Sequence, residues 1–131
     1  MPRTLLLAPA LLLACFASSP NQASQAVDFS GTWVGKWDNT WCVQFVVTED
    51  PTTKNASVSY EWLERSGQPL RTLSRSGLVE GAKLQIKDPY IEIFLSGSPG
   101  QAVAFGHFSP ARAAVLVRES TRRCQEDGQI Q

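Results

Sequence analysis

The stretch GTWVGKWDNTWC, Gly31–Cys42, determines how the rest of the chain is interpreted, because Trp33, Trp37 and Trp41 follow one another at a spacing of four. Residues four apart share one face of a helix, but residues any even number apart also share one face of a strand. The glycines, the β-branched residues and the turn sequence DNT all disfavour a helix. The stretch therefore predicts two strands joined by a tight turn, with the three tryptophans facing inward.

The alternation of apolar and polar residues continues beyond this stretch. Short alternating segments recur about every ten residues, which is typical of an all-β domain. About eight strands are predicted, with a loop from Arg65 to Gly77. Strands joined by short turns in chain order favour an up-and-down antiparallel barrel, because closure removes both exposed edges. A β-sandwich is the alternative.

The residues FSGTWVGKW, Phe29–Trp37, resemble the first strand of a lipocalin or another calycin. The resemblance implies a lipocalin-like barrel domain over residues 27–131. It implies a structural role for Gly31 and Trp33, with the tryptophan closing the base of the barrel. It also implies that an arginine near the last strand packs on Trp33, and Arg118 or Arg122 stands at the matching place.

The residues before Val27 predict an export signal rather than part of the domain. Arg3 precedes the apolar run TLLLAPALLLACFA, which is too short for a membrane-spanning helix and is typical of a secretory signal peptide. LLAC, Leu12–Cys15, resembles the bacterial lipobox, which implies a signal peptide over 1–14 and a lipidated Cys15. A flexible linker over 15–26 would then hold the domain at the periplasmic face of the cell envelope, with that lipid as its only membrane attachment. Alternatively, a signal peptide over 1–26 releases the domain as a soluble periplasmic or secreted protein.

Cys42 and Cys124 are the cysteines that remain in the exported domain. In an oxidising compartment they predict a disulfide bond, and two separate buried thiols are the alternative. These two distant cysteines and the single histidine lack the short spacing of zinc ligands. No metal site and no cofactor are predicted.

The predicted inner face carries many large aromatic residues, which allow two interpretations. Either the rings fill the barrel as a packed core, or those near one end line a binding pocket. The residues predicted to border such a pocket are Trp37, Trp41, Tyr60, Trp62, Phe105 and His107.

Charge and motifs argue against several functional classes. Twelve basic residues balance twelve acidic ones, which disfavours nucleic-acid binding. The chain lacks a catalytic serine motif and a glycine-rich phosphate loop, so an enzyme is not expected.

Binding of a small apolar or aromatic molecule is the predicted function. One alternative is an envelope interaction module, such as an inhibitor of a secreted hydrolase, with Arg65, Arg71 and Arg75 on a partner-binding loop. The other is a structural lipoprotein without a specific ligand.

Overall fold

The computed structural model describes residues 28–131, which form a closed antiparallel β-barrel. The strands follow one another around the barrel in chain order, and the last pairs with the first. Their bounds are β1 Gly31–Trp37, β2 Trp41–Glu49, β3 Asn55–Trp62, β4 Arg71–Glu80, β5 Lys83–Ile86, β6 Ile91–Leu95, β7 Gln101–Gly106 and β8 Arg112–Arg118. The predicted eight-stranded up-and-down barrel is confirmed, and the sandwich alternative is wrong.

The predicted signal peptide, the lipidated Cys15 and the linker over 15–26 lie outside the described residues. Within residues 28–131, no helix has the length and apolar character needed to cross a membrane.

The β1–β2 hairpin forms at the place where the sequence predicts it. Trp37 pairs with Trp41 across the turn, and Asp38 and Asn39 adopt positive φ angles of 50° and 58°. Asp and Asn tolerate this left-handed conformation better than most residues, which explains their use in tight hairpins. On the other edge of β1, a Cβ atom at Gly35 would lie 2.3 Å from a backbone oxygen of β8. The missing side chain at Gly35 therefore lets β1 and β8 approach closely enough to close the barrel.

β4 is where the structure departs most from the predicted strands. The sequence predicts a loop up to Gly77, but β4 begins at Arg71 and pairs with β3 from Arg71 to Leu78. This pairing places Arg71 and Arg75 opposite inward-facing residues of β3, so both arginines belong to the inner face of the barrel wall. The predicted three-arginine loop is therefore wrong, because only Arg65 lies in the β3–β4 loop.

One end of the barrel, the base, is closed by Phe29 and Trp33, which are almost completely buried. The indole Nε1 of Trp33 donates a hydrogen bond to the Phe29 carbonyl at 2.8 Å. The Arg118 guanidinium lies 4.5 Å from the centroid of the Trp33 ring, in cation–π geometry. Of the two candidate arginines, Arg118 therefore makes the contact that the lipocalin resemblance implies. Arg122 instead pairs with Glu119.

After β8, the C-terminal segment returns along the outside of the barrel and is joined to the start of β2. The predicted disulfide between Cys42 and Cys124 is confirmed, with its Cα atoms 5.7 Å apart. Both cysteines are buried in a small cluster with Leu63, which follows β3. The backbone N–H of Cys124 also donates to the side-chain oxygen of Gln44 at 3.3 Å. The disulfide thus fixes the C-terminal segment against β2 and the beginning of the β3–β4 loop.

Candidate functional site

The end of the barrel opposite the base contains a cavity of about 580 Å³. The β1–β2, β3–β4, β5–β6 and β7–β8 connections lie at this open end. Its aromatic lining consists of Trp37, Trp41, Tyr60, Trp62 and Phe108. The volume lies in the range that is usual for small-molecule sites. The inner face is therefore packed near the base, whereas near the open end its aromatic rings line a cavity.

One wall of the cavity is a continuous set of aromatic rings. Tyr60 stacks on Trp62, with ring centroids 4.7 Å apart, and on Phe45, with centroids 5.1 Å apart. Trp37 meets Phe108 edge to face at 5.6 Å. Stacked and edge-to-face pairs restrict how the rings can move. The wall therefore presents a preformed apolar surface.

Tyr60 is the polar member of this wall. Its hydroxyl oxygen accepts a hydrogen bond from the Trp37 indole Nε1 at 3.1 Å. Burial raises the pKa of Tyr60 to about 12, and the opposing effects of that hydrogen bond and of the Arg112 charge are smaller. The hydroxyl therefore keeps its proton at neutral pH and can donate a hydrogen bond of its own.

Charged side chains stand beside the aromatic rings. Arg75, Arg112, Glu64 and Asp88 also line the cavity. Arg112 lies 3.6 Å from an oxygen of Asp38, a residue of the β1–β2 turn. The cavity thus combines an apolar surface with a few charged groups, which is the usual composition of a site that orients a ligand.

The barrel wall extends less far toward the open end at β5 and β6, because these two strands are short. β5 has four residues and β6 has five, whereas β4 has ten. β5 pairs with β4 only from Gly77 to Glu80, so the first part of β4 extends past the end of β5. The guanidinium of Arg75 crosses this region and donates from Nε to the Asp88 carbonyl in the β5–β6 turn. Arg75 therefore links β4 to the turn on this side of the cavity.

Four of the six predicted pocket residues line the cavity: Trp37, Trp41, Tyr60 and Trp62. The other two predicted residues, Phe105 and His107, lie on the outside of the barrel, so their predicted inward orientation is wrong. Phe105 is 43% exposed. The imidazole Nε2 of His107 lies 3.1 Å from a Glu92 carboxylate oxygen, and its ring contacts the Tyr90 ring in a tilted arrangement, with centroids 4.6 Å apart. The hydrogen bonds from His107 and Tyr90 lower the pKa of Glu92, which belongs to this outer group.

The error on β7 has a physical cause. Both faces of this strand are apolar, because Ala102 and Ala104 alternate with Val103 and Phe105. The small alanines face inward and are fully buried. They give space to the large side chains on the opposite wall, so the larger residues of β7 face outward.

Several cavity residues were not anticipated from the sequence: Leu63, Leu73, Arg75, Phe108 and Arg112. The sequence does contain a signal for Phe108, because it lies an even number of residues from the inward-facing Ala102 and Ala104 and so belongs to the same face of the chain. Leu73 and Arg75 were missed because their segment is too polar to be recognised as a barrel strand. Arg112 has the same kind of signal, because counting back by twos from Leu116 and Ala114 reaches it, but β8 is apolar on both faces and alternation does not say which face turns inward.

Comparisons of the chain with protein-family models, with curated proteins and with solved structures each found no match.

Proposed function

We propose that this protein is an exported binding protein whose barrel takes a small apolar or aromatic molecule into its open end. The observation that carries the proposal is the cavity of about 580 Å³ beside Trp37, Tyr60 and Trp62. A preformed aromatic wall favours binding, because little conformational entropy is lost when the ligand enters. Trp41 and Trp62 are only partly buried, so contact with a ligand would remove more of their apolar surface from water.

N-Phenyl-1-naphthylamine, a neutral aromatic dye that brightens in apolar surroundings, tests this proposal. We expect its fluorescence to rise to saturation at one dye per protein molecule. The Trp62→Ala variant is expected to bind the dye about tenfold more weakly, because it loses aromatic stacking and contact area worth about 1.4 kcal/mol. Fluorescence titration of the purified protein measures both effects.

Two further variants sharpen the dye experiment. Phe105→Ala removes an exposed aromatic ring outside the cavity and should leave dye affinity unchanged. Leu73→Trp adds a ring within the cavity and should reduce binding while circular dichroism still reports a β-barrel. Absence of saturable binding to the original protein, or equal weakening by Phe105→Ala and Trp62→Ala, would count against the cavity as the binding site.

We further propose that the domain is held at the periplasmic face of the envelope by a lipid on Cys15. The apolar run, the LLAC sequence and the Cys42–Cys124 disulfide support export, because disulfides persist in oxidising compartments. Mass spectrometry of the protein purified from a bacterial envelope is expected to find an acylated N-terminal Cys15. A mature chain that begins at Val27 without acylation would contradict the proposed lipid anchor on Cys15 but would still agree with export of the protein.

A further inference from the structure

Arg75 is a charged residue on the inner wall of the barrel. In the β3–β4 register it lies opposite Val58, which is buried inside the barrel. Its own side chain is partly buried and lines the cavity. Removing a guanidinium from water is unfavourable unless other groups accept its hydrogen bonds. The hydrogen-bond acceptors that the protein already supplies to the Arg75 guanidinium therefore show which of its donors, and how much of its charge, remain for a ligand.

The partners of Arg75 within residues 28–131 are two main-chain carbonyls. Nε donates to the Asp88 carbonyl, and Nη1 donates to the Ser74 carbonyl at 2.8 Å. In the same residue range, Arg75 forms no ion pair with a carboxylate. A guanidinium has five N–H donors in one plane. These two bonds therefore position the group while leaving other donors available.

Two neighbouring arginines, Arg71 and Arg112, differ from Arg75 because each pairs with a carboxylate. Arg71 lies 3.3 Å from an oxygen of Glu64. Arg112 lies 3.6 Å from an oxygen of Asp38. The exposed Asp88 supplies its main-chain oxygen to Arg75 rather than its carboxylate. Of the two arginines that line the cavity, Arg75 is thus the one that has no carboxylate partner within residues 28–131.

Tyr60 supplies a second donor on the same wall. It lies opposite Leu73 in the β3–β4 register, two residues along β4 from Arg75. Such diagonal neighbours on one face of a sheet have Cα atoms about 7–8 Å apart. The hydroxyl oxygen accepts a hydrogen bond from Trp37, and among residues 28–131 no acceptor takes the hydroxyl proton, which can therefore bond an acceptor on a ligand.

We propose that the ligand of the cavity carries a carboxylate on its apolar body, and that Arg75 binds this carboxylate. The planar guanidinium matches the two oxygens of a carboxylate, and the Tyr60 hydroxyl adds a further donor. A single negative charge suits the site, because the nearby acids would repel a more highly charged group. The inference rests on the proposed binding function of the cavity and adds the chemical class of its ligand.

Decanoic acid, decanamide and decylamine test the inference, because they share one apolar chain and differ in the charge of the end group. Isothermal titration calorimetry of the purified protein at pH 7.4 should give at least about tenfold tighter binding of the acid than of the amide, as charge-assisted hydrogen bonds imply. Arg75→Gln should remove this preference without changing amide affinity. Arg65→Gln, which removes the same charge from the nearby loop, should preserve the preference, and Arg75→Lys should retain part of it.

The comparison of acid and amide on the unmodified protein does not depend on how any variant folds. Equal affinity for the two probes, tighter binding of decylamine, or an acid preference that persists in a folded Arg75→Gln variant would overturn the carboxylate assignment. The first two of these results would leave the cavity standing as a binding site. No binding of any of these probes, together with no binding of the neutral dye, would overturn the proposed function itself and the inference with it.

Discussion

Replacing Trp33 with alanine is expected to lower the free energy of unfolding by about 4 kcal/mol, in the range measured for large aromatic residues in protein cores. Trp33 is almost completely buried at the base of the barrel. The substitution removes its packing, its hydrogen bond to the Phe29 carbonyl and the ring beneath Arg118. Because folded domains of this size are stable by only about 5–15 kcal/mol, this is a large fraction of the total.

Urea unfolding followed by circular dichroism measures this loss without relying on tryptophan fluorescence. Trp41→Ala is the matched control, because it makes the same chemical change at the open end, where the ring is only partly buried. Trp41→Ala should cost clearly less stability than Trp33→Ala and should weaken dye binding. Equal losses of stability from the two variants would contradict the assignment of Trp33 to the structural base.

Removing the disulfide is expected to have an effect of similar size. Cys42 and Cys124 are 82 residues apart in the chain. For a loop of this length, the chain-entropy model gives a stabilisation of about 4.5 kcal/mol, because the cross-link restricts the unfolded chain. A double variant, Cys42→Ser with Cys124→Ser, should therefore unfold at a much lower urea concentration than the oxidised protein.

The response to a reductant provides the control for the disulfide prediction. Dithiothreitol should lower the urea midpoint of the original protein toward that of the double variant and leave the variant unchanged. A midpoint that is insensitive to reductant in the original protein, although mass spectrometry reports free thiols, would contradict the prediction. The Cys42–Cys124 disulfide also stabilises the β3–β4 loop at the open end. The C-terminal segment that it fixes contains Glu126, whose backbone carbonyl accepts a hydrogen bond from the backbone N–H of Gly67 in that loop at 2.9 Å.

Local patterns in the sequence predicted much of the barrel. The β1–β2 hairpin follows from turn residues between two alternating segments, and the inward orientation of Trp33, Trp37 and Trp41 follows from their even spacing. The disulfide follows from a remaining pair of cysteines. Each of these features depends on residues that are close in the chain or on a simple count, so the sequence contains the necessary information.

Longer-range packing decided the features that the sequence did not reveal. On β4, Arg75 faces the lumen and bonds to the carbonyl of Asp88, a residue of the β5–β6 turn. The Asp88 carbonyl reaches Arg75 only after β5 and β6 have folded back against β4. The sequence of β4 considered by itself therefore has the polar composition of a loop. On β7, apolar residues on both faces make either orientation compatible with alternation.

The sequence by itself therefore determined the all-β class, the β1–β2 hairpin, the aromatic inner face and the cysteine pair. The tertiary structure alone decided which face of β7 turns inward, that Arg75 and Arg112 face the cavity, and that about 580 Å³ stays unfilled at the open end. The physical reason is that alternation is a property of one strand. A cavity, in contrast, is the space left after the side chains of all the strands have packed together, and its size depends on strand lengths and side-chain volumes across the whole barrel.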